Sequence, residues 1–259
     1  MHQAIDHQLL TGGWFTLGLG TQVRTQVEKR FGADFDKPVA RMTELIAALR
    51  AIFHAWTTGE RLNFRGEFYR HTLMTPNFSP RENPHSPPPI YVGALGPRLT
   101  RATAEVADGL LVMPFGSKRF LREATMPAVR DGLKAAGRNP GDFAVVPEII
   151  VSVGEITWRP VNCWRSTGPR RPTDRCLSCT GGVTCNPKLN ALSKQGRWPE
   201  MGSLIDDDML HTIAACGSPA DVAAYIRDRV DGVSDRICIY QPGPIAVESL
   251  AEIVDALDS

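Results

Sequence analysis

Residues 89–99 read PIYVGALGPRL, and this stretch decides the fold. It begins as a short apolar run that is typical of a buried strand, and Pro97 suits the first turn of a helix. Gly93 and Gly96 remove side chains from the turn between the two. An apolar strand that passes through a glycine turn into a helix indicates one βα unit of a parallel sheet.

Comparable patterns lie on both sides of this unit. Strong strand patterns cover residues 15–20, 89–94, 109–113, 143–153 and 235–240, and residues 61–71 predict a small hairpin. Helical patterns cover residues 38–56, 99–107, 119–136, 209–214, 218–230 and 246–257. The alternation predicts an α/β fold. A (β/α)8 barrel takes about 250 residues and needs eight strands, so either three strands are hidden or the chain is part of a barrel.

Composition and charge narrow the class of partner. The 259 residues carry 29 Lys+Arg against 28 Asp+Glu, a formal net charge of +1, which gives no general reason to expect nucleic acid or an acidic membrane. No apolar run approaches the roughly 20 residues that span a bilayer. The first eight residues lack the basic and apolar regions of a secretory signal. These features predict a cytoplasmic protein.

Two glycine turns are candidate ligand sites. The free N–H groups at the start of the helix after Gly96 predict an anion site at the carboxyl end of the preceding strand. The alternative is a tight turn that needs glycine for its dihedral angles. Residues 18–22, Gly-Leu-Gly-Thr-Gln, predict a similar turn on the same rim, where Thr21 and Gln22 supply polar atoms.

Three motifs resemble the luciferase-like monooxygenase superfamily, in particular its deazaflavin (coenzyme F420)-dependent oxidoreductases. They are residues 15–23 followed by 28–31, residues 89–97 running into 104–109, and residues 217–222 followed by 235–237. The resemblance implies a (β/α)8 TIM barrel with the cofactor across its C-terminal rim, and hydride transfer between coenzyme F420 and a small organic substrate. FMN is the alternative cofactor, because backbone contacts to a phosphate discriminate poorly between the two.

The resemblance also implies which residues bind. Those that line the cofactor ring or its linker are Gly18, Gly20, Thr21 and Gln22, and those that hold its phosphate are Ala94, Leu95, Gly96 and Pro97. Lys118 lies near where relatives place substrate-binding groups, although a solvated lysine at a helix start has the same pattern. The sequence itself adds Glu148, which lies within an apolar strand and is a candidate functional carboxylate of the barrel lumen. The alternative, indicated by Pro147 beside it, is a bulge or the end of the strand. No catalytic residue is named, because Val23 stands where some relatives have a glutamate acid/base.

The beginning of the chain departs from the family pattern. Residue 1 opens on what resembles the helix before the fourth barrel strand, so the resemblance implies that the first three βα units are absent. An incomplete barrel exposes a sheet edge and apolar interior, which favours self-association into a homo-oligomer. The alternative to an active enzyme is a non-catalytic barrel remnant that binds a partner through these edges.

The family-like patterns predict one domain, residues 1–259. Within it, residues 156–187 show neither a helical nor a strand period. This stretch holds four of the six cysteines: Cys163, Cys176, Cys179 and Cys185. Three hypotheses compete for it: an insertion, a segment translated in a shifted frame, and a zinc-binding contact module in which Cys176 and Cys179 have the local ligand spacing. The cysteines on either side form no second short-spaced pair, which weighs against zinc.

Overall fold

The computed structural model describes residues 1–154, 191–192, 195–197, 200, 204, 207–243 and 245–258. The chain divides into two compact units. Unit 1 comprises Met1–Leu111 and Ala128–Ala144, and unit 2 comprises Val112–Pro127 and the described part of Val145–Ser259. The four clustered cysteines, and with them all three hypotheses for residues 156–187, lie outside the described residues.

Unit 1 is built around short parallel strands. In chain order its elements are α1 (His2–Leu10), β1 (Leu17–Gly20), α2 (Arg24–Lys29), α3 (Pro38–Thr58), β2 (Phe64–Arg65), β3 (Arg70–His71), β4 (Ile90–Ala94), α4 (Pro97–Val106) and β5 (Gly109–Val112), of which the last residue belongs to unit 2. The strand order is β1-β4-β5, and β2 pairs with β3 as the predicted antiparallel hairpin. The βα unit of residues 89–99 is confirmed, since β4 ends one turn before α4 begins.

The core of unit 1 lies between α3 and the strands. Every third or fourth residue of α3 is apolar, so one face of the helix buries Met42, Ile46, Leu49 and Phe53. These side chains pack against residues of β4, among them the fully buried Val92. The helical pattern predicted for residues 38–56 therefore marks the face that covers the sheet.

The stretch around Asp108 has a structural role in this unit. The Asp108 carboxylate accepts hydrogen bonds from the Ile90 backbone N–H and the Arg50 guanidinium, both at 2.8 Å. A Cβ atom at Gly109 would lie 2.8 Å from the Tyr91 ring, so only glycine lets β5 approach β4 this closely. Asp108 and Gly109 thus fix the start of both strands.

Unit 2 has one long strand with two partners. Its helical run begins with α5 (Lys118–Phe120), passes through a π-helical turn (Leu121–Thr125) and continues as α6 (Met126–Ala135), whose residues from Ala128 onward belong to unit 1. Then follow β6 (Ala144–Val153), α7 (Asp207–Ile213), β7 (Ala214–Gly217), α8 (Pro219–Val230), β8 (Cys238–Tyr240) and α9 (Val247–Asp258). Both β7 and β8 pair in parallel with β6.

The strand count corrects the sequence prediction. The described residues contain six parallel strands, because β7 follows α7 directly where the pattern predicted only the end of a helix. Strand β7 has four residues, Ala-Ala-Cys-Gly, which are too few and too small to show an apolar alternation. Among the described residues no strand closes either set into a barrel, so the α/β class and an incomplete barrel are confirmed.

The two faces of β6 differ. Ile149 and Val151 point toward α8 and α9 and are buried with Val222 and Ile226 of α8. Because successive strand residues face opposite sides, Glu148 lies on the other face.

The predicted start of α8 is confirmed as a reciprocal capping box between Ser218 and Asp221.

Candidate functional site

The two predicted glycine turns lie next to each other. Strands β1 and β4 are parallel and in register, with Gly20 opposite Gly93. The residues that leave these strands, Thr21 after β1 and Leu95 after β4, therefore emerge at the same edge of the sheet. This is the carboxyl edge, where α/β proteins bind their ligands.

The turn after β4 leaves a helix start uncapped. Gly96 is the residue before α4, with extended backbone angles (φ −81°, ψ 147°), and no side chain caps the first turn. Apart from the adjacent residues of the chain, no atom of the described residues lies within 4 Å of the position that a Cβ of Gly96 would take. The N-terminal N–H groups of α4 and the positive end of its dipole can therefore face an anion that approaches the Gly96 backbone.

The turn after β1 is strained at one residue. Gln22 has φ +57°, in the left-handed region that side-chain-bearing residues seldom occupy. The Thr21 hydroxyl donates a hydrogen bond to the Gln22 carbonyl at 3.2 Å. Strain of this kind is concentrated at functional sites, where it fixes the direction of a side chain or backbone group.

A small pocket of about 180 Å³ adjoins the end of β1. Gly20 and Thr21 line it together with four polar residues that the sequence prediction missed: Asp34, Asp36, Arg41 and Tyr69. Arg41 forms an ion pair with Asp36 at 2.7 Å. The missed residues form no motif. The one sequence signal that could have indicated them is that residues 34–36 lie in the connection that follows the carboxyl end of β1 and precedes α3.

Lys118 lies in unit 2, at the start of α5. Ser117 caps this helix by accepting a hydrogen bond from the Phe120 N–H. The Lys118 ammonium group pairs with the Asp228 carboxylate at 2.5 Å, and both side chains line a pocket of about 280 Å³. Lys118 is therefore a partly exposed, paired lysine on a pocket wall.

Glu148 is half-buried on the face of β6 that points away from the helical core. It lies opposite Cys238 of β8 in the parallel register. Burial raises the pKa of the Glu148 carboxyl, which favours its protonated form. Burial and then the Glu148 charge raise the pKa of the Cys238 thiol. The structure thus places a carboxyl and a thiol, each with a raised pKa, opposite each other on neighbouring strands.

Within the described ranges, three or more histidine, cysteine, aspartate or glutamate side chains nowhere gather closely enough to hold a metal ion. None of the helices in that part of the chain combines the length and apolar character needed to cross a bilayer.

Comparison with known proteins identifies the family. A model of the luciferase-like monooxygenase family matches residues 2–236. The chain belongs to this family. The resemblance carried by the three motifs is thereby confirmed, and the protein is an enzyme by family.

Individual luciferase-like relatives show the extent of the likeness. An uncharacterized protein of Mycobacterium tuberculosis is 39% identical over 261 residues, covering 97% of this chain and 74% of that protein. An F420-dependent glucose-6-phosphate dehydrogenase of Nakamurella multipartita is 33% identical over 140 residues, covering 54% of this chain and 40% of that enzyme. The solved structure of the coenzyme F420-dependent tetrahydromethanopterin reductase from Methanopyrus kandleri matches with a TM-score of 0.73 at 17% identity, covering 98% of this chain and 75% of that chain. This structural likeness shows the fold.

Proposed function

We propose that this luciferase-like protein is an oxidoreductase that binds coenzyme F420 and transfers a hydride between it and a small organic substrate. One observation carries the proposal: the parallel register of β1 and β4 places two glycine turns, one of them an uncapped helix start, at one carboxyl edge. F420-dependent enzymes among the relatives and solved structures support the choice of cofactor. The deazaflavin, when bound, supplies the hydride chemistry, and the protein binds and orients it.

The residues at this edge fit a phosphate-bearing cofactor. The group proposed to hold the phosphate through backbone atoms is Ala94, Leu95, Gly96 and Pro97. The group proposed to line the ring or its linker is Gly18, Gly20, Thr21 and Gln22. Both Gly20 and Gly96 have open space where a Cβ would stand, so a ligand can reach the backbone. FMN is the alternative cofactor, since it presents a phosphate as well.

Two residues of unit 2 are proposed to act on the substrate side. Lys118 stands on a pocket wall with its ammonium group partly exposed. Glu148 holds its proton to higher pH than an ordinary glutamate, so its carboxyl can donate a hydrogen bond or a proton to a bound substrate. We also propose that the protein acts on this small molecule in the cytoplasm and assembles into a homo-oligomer.

A second candidate function is a non-catalytic remnant that binds a partner. The observation that favours it is the exposure of large apolar side chains near β1: Leu10 is 82% and Trp14 is 87% exposed. Strand β1 is also the outer strand of the unit 1 order. Exposed apolar groups beside a strand edge favour association with another chain.

Titration of the purified chain with coenzyme F420 and, separately, with FMN tests the first candidate. Saturable binding with a raised melting temperature is expected, because a ligand that binds only the folded state stabilises it. Gly96→Asp should abolish binding, since it places a carboxylate against the phosphate. Gly141→Asp, at an exposed turn before β6, is the matched control. A Gly96→Asp protein that binds as tightly as the original chain would remove the proposed phosphate site.

A further inference from the structure

A pocket of about 610 Å³ lies at the amino edge of the unit 1 sheet. Ile90, the first residue of β4, lines it, and so does Asp108, which directly precedes β5. The glycine turns lie at the opposite, carboxyl edge, and Ala94 is about 13 Å from Ile90 at a rise of about 3.3 Å per strand residue. This pocket is therefore separate from the proposed cofactor site, and its volume is typical of small-molecule sites.

One wall of the pocket is rigid and apolar. Three consecutive prolines, residues 87–89, form it. A proline ring fixes its own φ angle and offers no N–H group, so this wall needs no ordering and no hydrogen bond. The ring of the buried Phe53 also lines the pocket. Flat apolar surfaces of this kind suit an aromatic ring.

The helix side of the pocket supplies polar groups. Arg50, Phe53, His54 and Thr57 all line it, and because they lie three or four positions apart they share one face of α3. The Thr57 hydroxyl donates to the Phe53 carbonyl at 2.9 Å, and the His54 ring lies 3.2 Å from the Glu60 carboxylate. Arg50 has the largest number of donors left on this face.

The Arg50 guanidinium is held in place with part of it unused. Its Nη2 atom donates to the Val106 carbonyl at 3.0 Å and to the Asp108 carboxylate at 2.8 Å. Nη1 and Nε form no hydrogen bond with any residue that the structure describes, and the side chain is 48% exposed. Three N–H groups of a fixed guanidinium are thus open to a ligand that enters the pocket.

We propose that this pocket binds a small aromatic carboxylate, with its ring against the prolines and Phe53 and its carboxylate on Arg50. The Asp108 charge offsets part of the Arg50 charge, so the carboxylate contact alone is weak and burial of the ring has to add to it. A carboxylate accepts two N–H groups of a guanidinium side by side, which fixes its orientation. The inference does not rest on the proposed function, because none of these residues belongs to the glycine turns.

Calorimetric titration of the full chain with benzoate, at constant ionic strength, tests the site. Saturable binding is expected. Acetate, which lacks the ring, and benzyl alcohol, which lacks the carboxylate, should each bind at least tenfold more weakly. Arg50→Lys should weaken benzoate binding roughly tenfold, because lysine keeps a charge for Asp108 but loses the planar fork. Arg101→Lys, at an exposed position of α4, is the matched control and should leave the affinity unchanged.

A second pair of variants tests the pocket without changing its ion pair. Thr57→Trp places a large side chain in the pocket and should abolish benzoate binding. Thr58→Trp is the matched control, because both threonines donate to a carbonyl one turn back in α3. Thr58 is not among the described residues that line the pocket, so this variant should bind benzoate like the original chain.

The outcomes separate this site from the cofactor site. The proposal is overturned if benzoate does not saturate the original chain, if acetate or benzyl alcohol binds as tightly, if Arg50→Lys has no effect, or if the two tryptophan variants bind equally well. Gly96→Asp should leave benzoate binding unchanged, and a loss there would place benzoate at the carboxyl edge and overturn the proposal too. If benzoate binds as expected and coenzyme F420 does not bind, the proposed function fails and this site stands. If coenzyme F420 binds and benzoate does not, the reverse holds.

Discussion

Gly20 of β1 lies directly opposite Gly93 of β4 in a parallel, in-register pair. A Cβ at Gly93 would meet the Leu19 carbonyl oxygen at 3.7 Å, an ordinary contact. A Cβ at Gly20 would meet no atom within 4 Å in the described part of the chain, its own chain neighbours apart. Neither glycine is therefore required for packing at its own Cβ position. Both leave the backbone at the sheet edge open, which is what a ligand held by backbone groups needs.

Gly20→Val should separate folding from ligand binding at this edge. Valine suits an extended backbone, and the open space at Gly20 accepts its methyl groups, so the melting temperature should stay within about 2 °C of the original. The same methyl groups cover the sheet edge and keep coenzyme F420 from reaching the backbone. Its dissociation constant should therefore rise tenfold or more. Fluorescence titration measures the second effect. An unchanged dissociation constant would mean that the cofactor does not approach Gly20.

The backbone strain at Gln22 should set the order of stability among the original chain and its Gln22→Gly and Gln22→Val variants. The φ of +57° costs a side-chain-bearing residue about 1–2 kcal/mol, more than the roughly 0.5–1 kcal/mol of extra chain entropy that glycine brings. Gln22→Gly should therefore raise the free energy of unfolding by about 0.5–1 kcal/mol, and the β-branched Gln22→Val should lower it. Urea denaturation gives the order Gly, Gln, Val. A Val variant as stable as the Gly variant would show that this turn is not left-handed in solution.

Most of the fold could be predicted from the sequence because its elements have clear periods. Strand β4 is a continuous apolar run, and α3 repeats apolar residues over 21 positions, so both are visible without tertiary information. Strand β7 was not, because four small residues next to a helix carry no period. Its place is set by pairing with β6, a contact between residues more than 60 positions apart.

The candidate site was predictable only in part. The turns after β1 and β4 were placed on one rim because the carboxyl ends of parallel strands share an edge. Arg41 was missed, because in sequence it is one basic residue in the first turn of α3 and no local pattern places it beside the end of β1. Its position next to Thr21 follows from the packing of α3 on the strands, a contact between residues far apart in the chain.

Gly132→Ala should lower stability although alanine favours a helix. Gly132 of α6 faces α4, and an added Cβ would lie 2.8 Å from the Ala104 Cβ and closer still to the Arg101 carbonyl oxygen. Because the nearest atom belongs to the backbone, relief requires the helices to separate, at a cost of about 1–3 kcal/mol. Thermal unfolding measures the loss. Lys134→Ala, exposed on the same helix, is the control and should change stability by less than about 0.5 kcal/mol. Equal stability of Gly132→Ala would disprove the close helix contact.

Glu44→Gln should loosen the β2–β3 hairpin in a pH-dependent way. The Glu44 carboxylate accepts backbone hydrogen bonds from Glu67 at 2.9 Å and from Phe68 and Tyr69, both at 2.7 Å. Burial acts to raise the pKa of Glu44, but these bonds outweigh it and hold the pKa below its ordinary value. The stabilisation is therefore present above the ordinary pKa of about 4.3 and lost as pH falls through the lower folded value.

Thermal unfolding at neutral pH and in acid checks the Glu44 prediction. Glu44→Gln should be less stable than the original chain at pH 7, by several degrees in melting temperature, and equal to it in acid. Glu82→Gln, an exposed glutamate in the loop before β4, is the matched control and should show no such dependence. A difference that persists unchanged in acid would point to packing instead of the charged carboxylate.

Glu148→Gln should have the opposite dependence on pH. Burial raises the folded pKa of Glu148, so the folded chain holds this proton more tightly than the unfolded chain does. Its contribution to stability is complete below the unfolded pKa of about 4.3 and declines as pH rises through the folded value. The original chain should therefore lose stability relative to Glu148→Gln on going from pH 4 to pH 8. The control variant Glu252→Gln, exposed on α9, should have the same pH profile as the original chain.

Peptide-resolved iodoacetamide labelling of Cys238 adds a second readout, because removal of the Glu148 charge lowers the pKa of the opposite thiol and speeds its alkylation at a fixed pH. Parallel pH profiles together with an unchanged labelling rate would place Glu148 in water, away from Cys238, and would remove it as a proton-holding group of the substrate side.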